Sequence, residues 1–256
     1  MTENSVIILA ADNAILSKRL KLEAVLPLSQ LDQSNAIFEQ TAQGLKLHLM
    51  LDSEIQQLMF DLVQGEVASR AIKASKSNET IAKAIGCKPH FRPRLLDATA
   101  GMGRDAFIMA ALGCQVVMQE RNLAIFLLLQ DALARFNQSS LATSLKFPIE
   151  LLFQDFFPRQ QAVHKFDLIY LDPMFPERKK SALVKKEMRL FKRLVGDDDD
   201  ADELLLKSLA SGVKRVVVKR PKGAPCLADK KPSHEIKAKK FRYDVYLNEL
   251  GSIGLK

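Results

Sequence analysis

Four carboxylates in this chain stand where chemistry could be done. Asp97, Glu120, Asp155 and Asp172 each close or follow a short apolar run, at 95–97, 115–119, 149–153 and 168–171. Asp97 leads into Ala-Thr-Ala-Gly101-Met-Gly103-Arg104-Asp105, and Asp172 into Pro173-Met174-Phe175-Pro176. A strand, a glycine turn and a helix start bring free backbone N–H groups and the positive end of a helix dipole to one point. Glycine at 101 and 103 lets the backbone approach a ligand where a Cβ would intrude. Asp97, just ahead of the turn, could take up an ammonium group. The pattern Gly101-x-Gly103-x-x-Ala106, with Glu120 beyond it, also fits a dinucleotide fingerprint, so the turn alone leaves hydride transfer open. The Asp172-Pro-Met-Phe-Pro stretch has no use in hydride transfer. It does have one in methyl transfer to an exocyclic amine.

The elements that must position these residues alternate regularly from residue 94 onward. Strands at 95–97, 115–119, 149–153, 168–171 and 215–219 are separated by helical runs, among them 104–112, closed by Gly113, and 123–136, capped by Asn122. A basic segment, 181–194, reads as helical. An acidic turn at 197–200 precedes a helix at 202–209, and 235–238 with 241–247 reads as a closing hairpin. Such alternation predicts an α/β fold, a Rossmann-like parallel sheet with helices on both faces. Ligands in such sheets bind beyond the C-terminal strand ends, where the four carboxylates lie.

Residues 1–92 read as a small N-terminal α+β domain ahead of a catalytic domain, 93–256. It is expected to hold a strand at 6–10, a helix at 14–26 stopped by Pro27, and a hairpin of 44–51 with 57–63. The stretch 70–78 carries Arg70, Lys73 and Lys76. It reads equally as a connection to a helix at 79–85, capped by Ser77 or Asn78, or as a basic loop facing the substrate. Residues 88–93 hold two prolines and form the linker.

With 47% apolar residues in 256, a substantial core needs no staples. Cys87, Cys114 and Cys226 form no CxxC pair, so neither a zinc site nor a disulfide framework is expected, and the expected compartment is a reducing cytoplasm. The run at 6–11 is too short for a signal core, and no apolar run approaches a membrane span. Net charge is +8, but it is localised. The segment 178–193 holds eight basic residues against Glu187, and 214–242 holds eleven against Asp229 and Glu235. These carry +7 and +9, which leaves the remainder at −8. Localised positive charge suits a phosphate-tracking surface, with two solvated lysine-rich faces as the plainer alternative.

The residues resemble the class I S-adenosylmethionine-dependent methyltransferases. More narrowly they resemble the ribosomal RNA small subunit methyltransferase J family, which methylates N2 of a guanosine, guanine 1516, near the 3′ end of 16S rRNA. The likeness rests on Asp97-Ala-Thr-Ala-Gly-Met-Gly-Arg-Asp-Ala-Phe, Glu120-Arg-Asn, Tyr170-Leu-Asp-Pro-Met-Phe-Pro, Lys180-Ser-Ala-Leu-Val-Lys-Lys-Glu-Met-Arg and Lys214-Arg-Val-Val-Val-Lys-Arg-Pro. It covers about residues 70–247. The resemblance implies S-adenosylmethionine as cofactor, 16S rRNA or the small ribosomal subunit as partner, and no membrane.

On this reading Asp97, Gly101, Gly103, Arg104 and Asp105 take the methionine end of the cofactor. Glu120 accepts hydrogen bonds from the ribose hydroxyls, Arg121 covers the adenine, and Asp155 with Phe156 meets its edge. Asp172-Pro-Met-Phe is similar to the (Asn/Asp)-Pro-Pro-(Tyr/Phe) motif of amino-methylating enzymes, with Met174 replacing the second proline. An exocyclic amine is a poor nucleophile because its lone pair is conjugated into the ring. The Asp172 carboxylate and the Pro173 carbonyl can accept its two N–H bonds, and Phe175 can stack on the base, a contact of about 1–3 kcal/mol. Asp172 also lies beside the cofactor. Lys73, Lys76, Lys180, Lys185, Lys186, Arg189, Lys219 and Arg220 are the expected RNA contacts, which position RNA without reading its sequence. Alternatives are an amino-methyltransferase acting on adenine or another guanine, an NAD-dependent oxidoreductase, and a non-catalytic RNA-binding protein.

Overall fold

The computed structural model describes residues 6–9, 35–51, 53–154, 165–175, 186–195 and 198–248. The helix expected at 14–26, the pair Asp155 and Phe156, and Lys180 and Lys185 lie outside the described residues, and of Lys186 only the backbone is described.

The alternating strands build one seven-stranded sheet. In chain order its members are β5 (Arg94–Asp97), β6 (Gln115–Glu120), β7 (Glu150–Phe153), β8 (Leu168–Leu171), β9 (Arg215–Pro221), β10 (His234–Lys237) and β11 (Phe241–Leu247). Their spatial order is β10-β11-β9-β8-β5-β6-β7. The five strands from β9 to β7 run parallel, and β11 and β10 are antiparallel additions, so the expected closing hairpin is present. The order reverses between β5 and β8, which opens a crevice at that point of the sheet. Residue alternation divides the core in two. Leu95, Val116, Met118, Leu168, Tyr170 and Val217 face one hydrophobic cluster, and Leu96, Val117, Ile169, Leu171, Val216 and Val218 the other. Both faces of each central strand are buried, which is why these strands read as continuous apolar runs.

A second sheet of four strands precedes this one: β1 (Val6–Leu9), β2 (Asn35–Thr41), β3 (Gly44–Leu51) and β4 (Glu54–Leu58). β1 runs parallel to β2, and the rest is antiparallel. Phe38, Leu45, Leu47, Leu49 and Leu58 are buried in the same cluster as Phe107, Leu129 and Phe136 of the larger unit, so one core runs through both. Strand β2 was not expected from the sequence. The expected partner strand, 57–63, is instead β4, and it ends early. Asp61 Oδ1 accepts from the N–H of Val63 and of Gln64, a turn that takes the chain out of the sheet while Phe60 and Leu62 stay buried.

The stretch read as a loop from residue 70 is in part a helix, α1 (Gly65–Ile72). Gly65, at φ +78, makes the sharp entry, and Val67, Ala68 and Ala71 form its apolar stripe. The next helix, α2 (Thr80–Ala84), lacks the expected Ser77 or Asn78 cap. Asn78 Oδ1 instead accepts from the Ser75 N–H, and its amide donates to the Lys73 carbonyl, so it ties the preceding loop. The remaining helices are α3 (Arg104–Ala111), α4 (Leu123–Asn137), α5 (Lys186–Val195) and α6 (Ala201–Ala210). Asn122 caps α4 as expected, accepting from the N–H groups of Ala124 and Ile125. Among the described residues, no helix is long and apolar enough to cross a membrane.

Candidate active site

The turn after β5 is held by its neighbours. The Ala98 N–H donates to the Tyr170 carbonyl, and the Ala100 N–H to the Gln119 carbonyl, both at 3.0 Å. Gly101 and Gly103 sit at φ +53 and +70, the left-handed region that L side chains disfavour. A Cβ at Gly103 would stand 2.7 Å from Leu129 Cδ1, and one at Gly101 would stand 3.1 Å from Phe191 Cζ. The turn is therefore packed by Leu129 of α4 at Gly103 and by Phe191 of α5 at Gly101, with no room for a Cβ at either.

Glu120 ends β6 and is nearly buried. Its Oε2 accepts from the Gly101 N–H at 2.9 Å and its Oε1 from the Asn122 N–H at 2.7 Å. Each oxygen keeps a second lone pair for a hydroxyl donor. Burial raises the Glu120 carboxyl above its ordinary value, against those two N–H groups. Asp97, at the end of β5, accepts from the Thr99 N–H at 3.2 Å. Burial pushes its carboxyl well above the usual range, Thr99 opposes this, and the charges of Asp105, Asp172 and Glu120 add to it. A positive group arriving beside Asp97 would relieve that pressure.

These walls enclose a cleft of about 750 Å³. It lies at the C-terminal strand ends and brings together Asp97, Gly101, Arg104, Asp105, Glu120, Arg121, Asp172, Pro173, Phe175 and Lys219, ten of the site residues singled out from the sequence. The cleft fits a cofactor with a cationic end and a ribose. It has a backbone turn without a Cβ, a crowd of carboxylates, and, on β6, a buried Gln119 Oε1 that has no hydrogen-bond partner among the described residues.

A family model for S-adenosylmethionine-dependent methyltransferases matches residues 21–248. Ribosomal RNA small subunit methyltransferase J of Pseudomonas fluorescens is 44% identical over 219 residues, covering 85% of this chain and 84% of that protein. The Pseudomonas aeruginosa protein of the same name is 43% identical over 241 residues, covering 93% and 92%. The chain belongs to the ribosomal RNA small subunit methyltransferase J family. Its cofactor is S-adenosylmethionine. A solved S-adenosylmethionine-dependent methyltransferase from Neisseria gonorrhoeae superposes with a TM-score of 0.70 at 29% identity, over 98% of this chain and all of that one. Hydride transfer is thereby set aside.

In this methyltransferase the other end of the cleft is built from charged side chains. The Asp172 N–H donates to Thr99 Oγ1 at 2.6 Å, which ties the amine motif to the glycine turn. Asp172 Oδ2 accepts from Lys219 Nζ at 2.7 Å, and Lys219 also donates to Asp105 Oδ2 at 2.8 Å. The Tyr170 hydroxyl donates to that same Asp105 oxygen at 2.7 Å. Burial raises the Asp172 carboxyl, Lys219 pulls it down, Asp105 pushes it up, and the net shift is upward. For Asp105 burial again acts upward, but Lys219, Tyr170 and Arg70 outweigh it and the net shift is downward. Desolvation disfavours the Lys219 ammonium, and the two carboxylates more than compensate, so its pKa rises.

Arg121 lines the cleft, but its guanidinium is held by Asp198 and Asp200. Asp198 Oδ2 in turn accepts from the Met174 N–H at 2.6 Å. Arg121 therefore braces the 172–175 loop from the end of β6. Lys219 and Arg220, expected among the phosphate-facing cations, turn inward instead. Arg220 is 4% exposed, donates to the Pro225 carbonyl and stacks on Phe175, with Cζ 3.9 Å from the ring centroid. Both sit on β9, an internal strand flanked by β8 and β11; Arg220 is buried on it, and Lys219, half-buried, opens on the cleft. Lys73, Lys76 and Arg189 are exposed.

Sequence reasoning left Arg70 between a connecting loop and a substrate-facing one, and missed Phe60 and Phe191. Arg70 approaches Asp105 from α1, Phe60 lines the cleft from the turn after β4, and Phe191 covers Gly101 from α5. The spacing Met188, Phe191, Val195 within the basic helix was the available signal for the last.

Proposed function

We propose that this protein transfers a methyl group from S-adenosylmethionine to the exocyclic N2 amine of a guanosine in 16S rRNA, guanine 1516 by the family's target. The observation that carries this is Asp172-Pro173 at the C-terminal end of β8, joined to the glycine turn through Thr99 and opening on the same cleft as Glu120. An amine acceptor pair and a ribose acceptor thus share one chamber.

The bound cofactor supplies an electrophilic methyl carbon on a sulfonium sulfur. Asp97, Arg104 and Asp105 hold its amino-acid end, the glycine turn lets it lie against the backbone, and Glu120 takes the ribose hydroxyls. Asp172 and the Pro173 carbonyl accept the two N–H bonds of the target amine and aim its lone pair. With the methyl carbon supplied there and its bonding pair left on sulfur, Asp172 would take up the proton that the methylated amine gives away. Positioning and fixed charge do most of this work, since the amine needs no strong base. Phe175, backed by Arg220, offers its other ring face to the base. The base must arrive unstacked, from a loop or flipped out. The exposed Lys73, Lys76 and Arg189, together with the basic residues at 180, 185 and 186 expected from the sequence, would track the RNA backbone, in a cytoplasmic setting.

The test is incubation with labelled S-adenosylmethionine and 16S rRNA, free or in 30S subunits, followed by mapping of the modified nucleotide. N2-methylguanosine at the family position is expected. Label on an adenine amine, or on another guanine, would replace this target and keep the chemistry. RNA binding should weaken steeply between about 50 and 200 mM salt through counterion release. A flat dependence would remove the backbone contacts.

A further inference from the structure

The Asp172 carboxylate is held asymmetrically. Oδ2 is bonded to Lys219, whereas Oδ1 has no hydrogen-bond partner among the described residues. Lys219 divides its protons between Asp172 and Asp105, and its side chain is only 24% exposed. The Phe241 ring centroid lies 5.4 Å from Nζ and helps to close it off. Asp105 is approached on its other oxygen by Arg70 at 4.0 Å, and Arg70 is gripped through two bonds by the buried Glu79. Charges therefore alternate along Glu79, Arg70, Asp105, Lys219 and Asp172. The chain of contacts runs from α1 and the turn before α2 to the amine motif.

We propose that Lys219 is a positioning residue that fixes the plane of the Asp172 carboxylate, so that the oxygen it leaves open receives the target amine. This rests on the reading of Asp172 as an amine acceptor. The last torsion of an aspartate is broad, so an unheld carboxylate swings its plane and its lone pairs through a wide range. A cation fixed on Oδ2 removes that freedom and leaves one oxygen for one N–H, with the Pro173 carbonyl for the other. The same cation keeps Asp172 an acceptor. Asp172 faces Asp105 from α3 and Asp198 from the loop before α6, both of which favour its protonation, with Asp97, Tyr170 and Tyr243 alongside. A protonated Asp172 would carry a donor where the amine needs an acceptor.

Single-turnover methylation at saturating cofactor, followed against pH, tests this in four variants. Lys219→Met should lower kcat by up to about 10²-fold with little change in KM. It should also move the acidic limb of the rate profile to higher pH, because the cation that lowers the Asp172 pKa is gone. Lys219→Arg keeps the charge and should hold the limb near wild type. Asp105→Asn removes a neighbouring negative charge and should move the limb the opposite way, to lower pH. A merely structural role would not give opposite shifts. Wild-type kcat and an unmoved limb in Lys219→Met would overturn the proposal. If that variant does not fold, an Asp105→Asn limb that stays put or rises would overturn it. Asp172→Ala separates the two readings. If it turns over normally, the acceptor reading itself fails; if it is slow while Lys219→Met is normal, only the role of Lys219 falls.

Discussion

Glu120 and Asp172 close parallel strands of one sheet and open on one cleft, yet they are held by different means. Glu120 is fixed by two backbone N–H groups, from Gly101 and Asn122. Asp172 is fixed by a side-chain cation and is itself about a third exposed. A backbone-held acceptor is rigid and suits the neutral hydroxyls of a ribose that returns every cycle. A cation-held acceptor stays ionised among other carboxylates, which suits a group that must attract the protons of an amine while it reacts. On the proposed roles, cofactor binding and methyl transfer should be separable by substitution.

The largest expected effect is on the second wall. Asp172→Ala should lower kcat by about 10²–10³-fold, by analogy with other preorganised electrostatic groups, and raise KM far less. Asp172→Asn keeps one acceptor oxygen and should retain part of that rate. Near wild-type turnover in Asp172→Ala with cofactor bound would erase the contrast between the walls. On the first wall, Glu120→Ala should weaken cofactor binding by about 1–3 kcal/mol, the loss of a charged hydrogen bond. Calorimetry giving wild-type affinity would take Glu120 out of the site.

A backbone-built wall should also be sensitive to backbone changes. Gly103→Ala would place a Cβ against the buried Leu129 at a positive φ, and should cost about 1–3 kcal/mol in thermal stability. An unchanged melting temperature would mean that the turn is looser than its geometry.

The smallest effect concerns the brace between the two walls. The Arg121 guanidinium holds the Asp200 carboxyl below its ordinary value of 3.8. Its folded pKa is the lower one, so the stabilisation is complete above 3.8 and fades as pH falls through the depressed value. The difference in melting temperature between wild type and Asp200→Asn should thus be small at neutral pH and vanish in acid. A difference that persists there would assign Asp200 some other role.

The parts legible in advance were those with a local signature. The βα alternation, the glycine turn, the Asn122 cap and the Asp172-Pro motif each need only near neighbours along the chain. Helix α1 was missed because it is short and its polar residues, Glu66 and Arg70, resemble a loop until Val67 and Ala71 find α3. The premature end of β4 depends on one side chain, Asp61, bonding two successive N–H groups.

Charge shows the boundary most clearly. The sequence by itself determined that Lys219 ends a strand in a basic segment, with Arg220 just past it, and that four carboxylates stand at strand ends. Only the tertiary structure decided that these two cations point inward, one to Asp172 and one to Phe175. The physical reason is that composition counts charges, whereas a cation's role depends on which groups desolvate it and which pair with it. For Lys219 those partners lie 47 and 114 residues away along the chain, and only the packing of β8, β9 and α3 brings them within 3 Å.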